Sequence, residues 1–482
     1  MSAGQTRAGE HAAWGEVASR LAGLLLASAA FAFARPARGA GEYFSDRGVR
    51  PIGRGGAFVA GADDLGAIWY NPAGLADAGT TILVDASWLH FTSDYTRQTQ
   101  VLDANNVPHT FQFPTTHGST PVIPIPTIAG SYNFGNEKQW TVALGALAPY
   151  VPIASYPADA PSRYSLVSLD GSALIVLGTW VAYKPVEEFR IGLGFELLTG
   201  TFSSSTVFNV NPNDRLIGAP EDPKYDALGQ LNVGPIFSPS ANGGIIYIPE
   251  KHVRIGVSGQ LPHLIDSPAT LQVRLPNAVE FDTAQQVGQN AHVQFELPAI
   301  ARIGVEARPI EPLRIEVTYV REFWTTHHSI DIRPDNIAIT GITGFPSPFA
   351  VSPISIPRNF DNSNSYRLGG EYTLALGSYQ LDLRVGINYE TSAIPNAYLS
   401  PLTIDLNKTL LGFGGGLHIG QHWRLDGVYA HVFASDTTVS PAEAAVPRIN
   451  PVKGNPTATE AINGGIYSAR ADVLGIGVVY KF

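Results

Sequence analysis

Three groups of residues in this 482-residue chain have types that could do chemistry. The adjacent carboxylates Asp63-Asp64 could divide acid and base duties. His327-His328 with Asp331 could hold a metal, and Gly53, Gly55 and Gly56 could bring backbone close to a phosphate. In each case the spacing argues for something plainer. Neighbouring carboxylates in a Gly-rich stretch suit the capping of a turn or helix, whose free N–H groups they accept. On a strand, successive side chains point to opposite faces, so the two histidines converge poorly on one ion and read as loop decoration. A dinucleotide site needs a strand before its glycines and a helix after them, and neither pattern is present. No Ser-centred motif stands where it could serve as a nucleophile. The expectation is therefore a protein that is not an enzyme, with no cofactor and no metal.

The elements that would carry such residues are suggested by composition. Charged residues make up 15% of the chain, against about 25% in an average soluble protein, yet mean hydropathy is only +0.04. Aromatics reach 10%, with 49 Gly and 36 Pro. Past the N-terminus no run approaches the roughly 20 apolar residues of a membrane helix. Low charge, many aromatics and short apolar runs suit strands whose side chains alternate between lipid and lumen. The absence of cysteine fits passage through an oxidising periplasm. A net charge of −10 leaves no basic excess for nucleic acid, and acidic outer loops explain it. At the N-terminus, Arg7 and Arg20 precede the apolar run Leu21–Ala34, and Ala37-Arg38-Gly39 offers small residues before a cut at Ala40. This reads as a signal peptide over 1–39, with Ala32-Phe33-Ala34 as a competing site; the run is too short for an anchor.

Past residue 78 the chain alternates strand, short turn, strand and long loop. Short turns are expected at Gly135–Gln139, Lys184–Glu188, Pro249–His252, Arg308–Pro312, Ala375–Ser378 and Gly420–His422, all rich in Gly, Pro and charge. Longer connections are expected near 93–123, 152–171, 204–234, 265–292, 325–364, 392–407 and 435–467. Six short and seven long connections join fourteen strands, an even number with loops segregated by length. The predicted fold is all-β: a fourteen-stranded antiparallel transmembrane β-barrel over 79–482.

Individual strands carry the pattern. In Tyr379–Glu390, Tyr379, Leu381, Leu383, Val385, Ile387 and Tyr389 share one face, while Asp382, Arg384, Asn388 and Glu390 lie on the other. Phe189–Leu197, Ala301–Arg308, Leu313–Val320 and Tyr366–Tyr372 repeat it with Arg and Glu on the polar face, where opposite charges can pair across strands. Trp140, Phe189, Tyr379 and Trp423 open strands after short turns, the height at which aromatic rings sit between hydrocarbon and water. Leu474, Ile476, Val478, Tyr480 and Phe482 end the chain on one face. Such a terminal strand resembles the signal read by barrel-assembly machinery.

Between the signal and the first strand lies a Gly-rich segment, 40–78, without long alternation. A barrel near fourteen strands is too wide for wall side chains to fill, so this segment is expected to plug the lumen as a small N-terminal hatch. Its Asp63-Asp64 pair and Trp69-Tyr70-Asn71-Pro72-Ala73-Gly74-Leu75 run resemble the FadL-type outer-membrane family of long-chain fatty acid and aromatic hydrocarbon transporters. Weaker matches follow in family order at Leu297-Pro298-Ala299, Arg302-Ile303-Gly304-Val305, Ser392-Ala393-Ile394-Pro395-Asn396, Leu399-Ser400-Pro401 and Tyr480-Lys481-Phe482.

The resemblance implies passive, hatch-gated transport of hydrophobic small molecules across the bacterial outer membrane. Cargo would be caught at outer loops, held in a greasy pocket, and released sideways near a kinked third strand. Here that strand would run Trp140–Tyr150, followed by Pro152 and Pro157, with Pro149 near its end. Candidate gating and substrate-binding residues are Phe58, Trp69, Asn71, Pro72 and Ala73 in the hatch, with Arg163 after strand three for a carboxylate. A second basic position of the family is replaced here by Asn359-Phe360-Asp361-Asn362, with Arg358 near but out of register, which keeps neutral hydrocarbons in play. A gated porin for polar solutes and an outer-membrane lipase are the lesser alternatives. Expected partners are a hydrophobic ligand, outer-membrane lipid and lipopolysaccharide, and the assembly machinery through Phe482; nucleic acid is not among them, and the barrel is expected to work as a monomer.

Overall fold

The computed structural model describes residues 46–120, 124–149, 154–211, 222–449 and 461–482; the expected signal segment 1–39 lies outside them. Fourteen strands form the barrel wall: β1 Thr81–Leu102, β2 Pro124–Phe134, β3 Trp140–Leu147, β4 Ala173–Val186, β5 Phe189–Asn209, β6 Asp226–Glu250, β7 Val253–Gln260, β8 Ala299–Ile310, β9 Leu313–Phe323, β10 Ser363–Leu376, β11 Tyr379–Glu390, β12 Lys408–Ile419, β13 Trp423–Ala434 and β14 Gly465–Lys481. Each pairs antiparallel with its neighbour in sequence. β1 and β14 close the ring, from Thr81↔Lys481 to Arg97↔Gly465. Closure leaves no sheet edge at the level of the wall.

The turns between β2–β3, β4–β5, β6–β7, β8–β9, β10–β11 and β12–β13 are the six expected short ones. Along β11, Tyr379, Leu383, Val385, Ile387 and Tyr389 are exposed, whereas Asp382, Arg384, Asn388 and Glu390 are buried. At the short-turn end Trp140 stacks on Tyr183 at 4.2 Å and Phe189 on Tyr247 at 4.7 Å, both pairs facing outward. Leu474, Ile476, Val478 and Phe482 also face out.

The long connections differ from expectation. β1 runs to Leu102, β5 to Asn209, and β6 starts at Asp226, so much of 93–102, 204–209 and 226–234 is wall rather than loop. Further strands His263–Arg274, Asn290–Leu297, Ser329–Pro334 and Ile354–Pro357 raise the wall above β6–β10. The reason is chemical: above the lipid the ladder continues, but its outer face no longer needs apolar side chains, and the alternation that marks a strand fades. β6 shows this in Leu228, Gln230 and Asn232 outward against Leu231 and Val233 inward. The third strand ends at Leu147 instead of Tyr150, and Pro152 lies outside the described residues.

Candidate functional site

The lower lumen is filled by residues 46–79, almost all of them buried. Two short helices, α1 Val49–Gly53 and α2 Ala67–Tyr70, are followed by a 3-10 turn Pro72–Asp77. The segment docks on glycines of the wall. A Cβ on Gly192 would collide with the Pro72-Ala73 peptide, on Gly244 with Asn71, on Gly256 with Val59, on Gly386 with Arg54 and on Gly412 with Ile52. Inside the hatch, Gly55 lies at φ +60°, and a side chain there would meet the backbone at Gly386-Ile387. Gly53, Gly55 and Gly56 thus serve close packing.

Charge holds the docked segment. Arg54, wholly buried, reaches Glu306 at 3.0 Å and Glu316 at 3.1 Å. The Glu316 carboxylate also accepts N–H bonds from Val59, Ala60 and Gly61 at 2.6–2.9 Å, so a loop of the hatch wraps around one wall residue. Arg50 bridges Asp63, Asp64 and Glu371, while Arg314 pairs with Asp63 and Arg424 with Asp64. Asp64 Oδ1 accepts from Gly66 N at 2.9 Å just before α2, a capping contact of the expected kind; the ion pairs are additional. Burial alone would raise the Asp63 carboxyl, but the guanidiniums of Arg314 and Arg50 outweigh it and hold it well below the usual range. Asp64 is lowered in the same way, burial being outweighed by Arg50 and Arg424. Across the wall, Arg384 reaches Glu371 at 2.6 Å and, over the glycine-lined β12, Asp426 at 2.6 Å.

The sequence-predicted hatch residues are structural neighbours. Asn71 Nδ2 donates to Val59 O at 2.9 Å and to Ile245 O at 3.3 Å, and its Oδ1 accepts from Ala73 N at 3.2 Å. Pro72 occupies the first position of the 3-10 turn, where its missing N–H is harmless. Phe58 lies between Arg50 and Arg54, and the Trp69 ring under Arg302. Arg163 stands apart, in the 3-10 turn Pro161–Tyr164 of an outer loop. It pairs with Asp226 at 2.8 Å and donates to Tyr164 Oη at 2.6 Å, and Asp226 is held further by Asn209.

Above the hatch lies a partly open cavity of about 60 Å³. Phe202, Phe208, Leu231, Leu271, Ile332 and Ile356 form much of its lining, with Leu402 and Ile449 from outer loops. No charged side chain is among the described lining residues. Sequence reasoning missed all of these. For Ile332 and Ile356 the signal was the alternation Ile330-Asp331-Ile332 and Ile354-Ser355-Ile356, inside a stretch taken for loop.

His327 also differs from its expectation. The chain leaves β9 through a 3-10 turn, Trp324–Thr326, which folds His327 inward between the rings of Trp324 and Phe360. Its Nδ1 lies 2.8 Å from Glu296 O, while His328 stays exposed. Among the described residues no group of three His, Cys, Asp or Glu is placed to hold a metal.

A closed antiparallel barrel with a lipid-facing apolar band and an ion-paired internal segment defines a β-barrel of the bacterial outer-membrane class. The chain belongs to the family described as outer membrane protein transport protein (OMPP1/FadL/TodX), which it matches over residues 30–482. It is 23% identical to a Neisseria meningitidis serogroup B protein named as an outer membrane protein, over 95% of this chain and 98% of that one. A Pseudomonas aeruginosa FadL homologue shares the fold with a TM-score of 0.68 at 15% identity, over 92% of this chain and 100% of that one. The Pseudomonas putida toluene transporter TodX gives 0.59 at 14% identity over 91% and 99%. The Ralstonia pickettii toluene transporter TbuX gives 0.55 at 17% identity over the same shares.

Proposed function

We propose that this protein carries hydrophobic small molecules passively across the bacterial outer membrane and releases them sideways into the lipid. The apolar cavity, with no charged side chain among its described lining residues and seated above a lumen packed with hatch, carries this reading. Apolar cargo gains about 0.8 kcal/mol per CH₂ on leaving water, so the cavity captures it. A straight path down would take it through paired charges into water. Release to the side returns it to hydrocarbon.

Among hydrophobic cargoes, a neutral molecule of the aromatic hydrocarbon class fits the lining better than a fatty acid. A buried carboxylate needs a cation, and the guanidinium of Arg163 already meets Asp226 and Tyr164. Long-chain fatty acids are the second reading, favoured because Tyr164, which Arg163 contacts, lines the cavity. Phe58, Trp69, Asn71, Pro72 and Ala73 are the hatch residues whose packing sets the gate. The barrel works as a monomer in contact with lipid and lipopolysaccharide, and is inserted through recognition of the strand ending in Phe482.

Uptake of radiolabelled toluene and oleate by whole cells tests the reading. Deleting the gene should slow both or the first alone, and restoring it should recover the rate. If deletion leaves both unchanged while sugar permeation drops, the protein is a gated porin. Esterase activity in pure protein, abolished by one Ser or His change, would make it an enzyme.

A further inference from the structure

Away from the third strand, the wall ladder is interrupted between β6 and β7. Between β6 and β7 the ladder reaches Asn242↔Gln260, then resumes at Val233↔Ala269, where β6 meets the His263–Arg274 strand. Residues 234–241 and 261–268 face each other between these points without a registered pair. Pro235, Pro239, Pro262 and Pro268 all fall in this window, and none can donate to a ladder.

Burial gives the physical reason. On β6 the inward positions are Ser240, Ser238 and Ile236, then Val233 and Leu231, so one residue is inserted at Gly234-Pro235. On the facing chain they are Ser258 and Gln260, then His263, Ile265 and Ser267, so one is inserted at Leu261-Pro262. The insertions sit at opposite ends of the window. Beyond it they cancel and register returns; within it each residue opposes one that points the other way. Contacts across the window include Ser240 Oγ donating to Leu261 O at 2.9 Å and His263 Nδ1 lying 3.1 Å from Ser238 O.

The window lies at the right height and beside the right space. Outward, Phe237, Leu261 and Leu264 are each more than half exposed, a surface for hydrocarbon. Just above, Phe202, Leu231 and Leu271 line the apolar cavity on the inner face. On the outer face of the same strands Thr201, Asn232, Val233, Gly234, Ala269 and Thr270 line a concavity of mixed polar and apolar character. Cavity and concavity are separated there by a single layer of strand.

We propose that this β6–β7 window is a lateral port, through which apolar cargo passes from the cavity into the outer leaflet. The port rests on the transport reading above. Opening it means parting the backbone bond from Leu261 N to Ala241 O at 2.9 Å and a few side-chain contacts, and shifting two bent strands, with no continuous ladder to break.

A lock tests it. The chain has no cysteine, so Phe237→Cys with Leu264→Cys gives a clean pair on the lipid face, away from the cavity lining. The pair is closed by oxidation or by a short bifunctional thiol reagent, with closure checked by mass spectrometry and folding by heat-modifiable gel mobility. Leu368→Cys with Ile387→Cys, registered opposite each other between β10 and β11, is the control. The locked window should lose most of its toluene uptake, recover it under dithiothreitol where a disulfide closes the pair, and leave the control pair indifferent. A closed lock that transports like the unmodified protein, or a control lock that blocks equally, overturns the port while leaving transport standing. No toluene uptake by the unmodified protein overturns the transport reading, and the port with it.

Discussion

Around Arg54 the lumen holds guanidinium and carboxylates about 3 Å apart with no exposed side-chain surface, whereas around Leu231 it holds open space among aliphatic and aromatic side chains. One region gains rigidity from charge pairing and from backbone laid against glycine. The other leaves room, and no charged side chain is among its described lining residues. The contrast teaches how one barrel can hold a densely ion-paired layer beside an open apolar one: the two are different layers, built from different residues. Substitutions in one layer should spare the work of the other.

The largest effect is expected from Arg54→Leu. Two buried carboxylates lose a partner, and breaking a buried pair costs about 3–5 kcal/mol. Thermal unfolding in detergent should shift down accordingly, and planar-bilayer conductance should rise as the hatch loosens. Unchanged conductance would show that the ion pairs do not keep the seal. Next, Leu231→Asp places an unpaired charge in the cavity at a cost of several kcal/mol to bound cargo. Toluene uptake should fall by about a hundredfold or more, with conductance as before; a rise in leak would erase the division between layers.

Gly192→Leu attacks the seal by size alone, pressing on the Pro72-Ala73 peptide. Overpacking of this kind costs about 1–3 kcal/mol, and leak is the readout. Arg163→Gln is a smaller change that separates cargo classes. Because its guanidinium is occupied by Asp226 and Tyr164, oleate and toluene uptake should change alike. A loss confined to oleate would make Arg163 the carboxylate holder.

The smallest effect concerns pH. Asp63 and Asp64 are held below their ordinary values, so their stabilisation is complete above about pH 4, the unfolded-state range, and is lost only as pH falls through the depressed folded values. The stability gap between the unmodified protein and Asp63→Asn with Asp64→Asn should therefore stay flat from pH 8 to about 5. A gap that closes near neutrality would mean the carboxylates are not held by their arginines.

Legibility differed in the same way. Wall positions such as Leu383 and Arg384 could be assigned before any coordinates, because a strand sends neighbours to opposite faces and lipid and lumen ask for opposite chemistry. Arg54, Glu306 and Glu316 could not be grouped from sequence, since 252 and 262 positions separate the two pairs. The cavity residues Ile332 and Ile356 were hidden for another reason: their strands rise above the lipid, where only one face is under selection for burial.

The sequence by itself determined the wall: how many strands cross, which face of each meets lipid, where the short turns lie, and that a non-alternating Gly-rich segment precedes them. These follow from local periodicity, which needs no knowledge of neighbours. Only the tertiary structure decided what the inward face is for. It turned wall glycines into docking grooves and set Arg50 among three carboxylates. It also placed two one-residue bends, at Gly234-Pro235 and Leu261-Pro262, at opposite ends of one seam. A bend on one strand is a local fact. An unpaired window exists only when two strands lie side by side, and that is a property of the folded barrel.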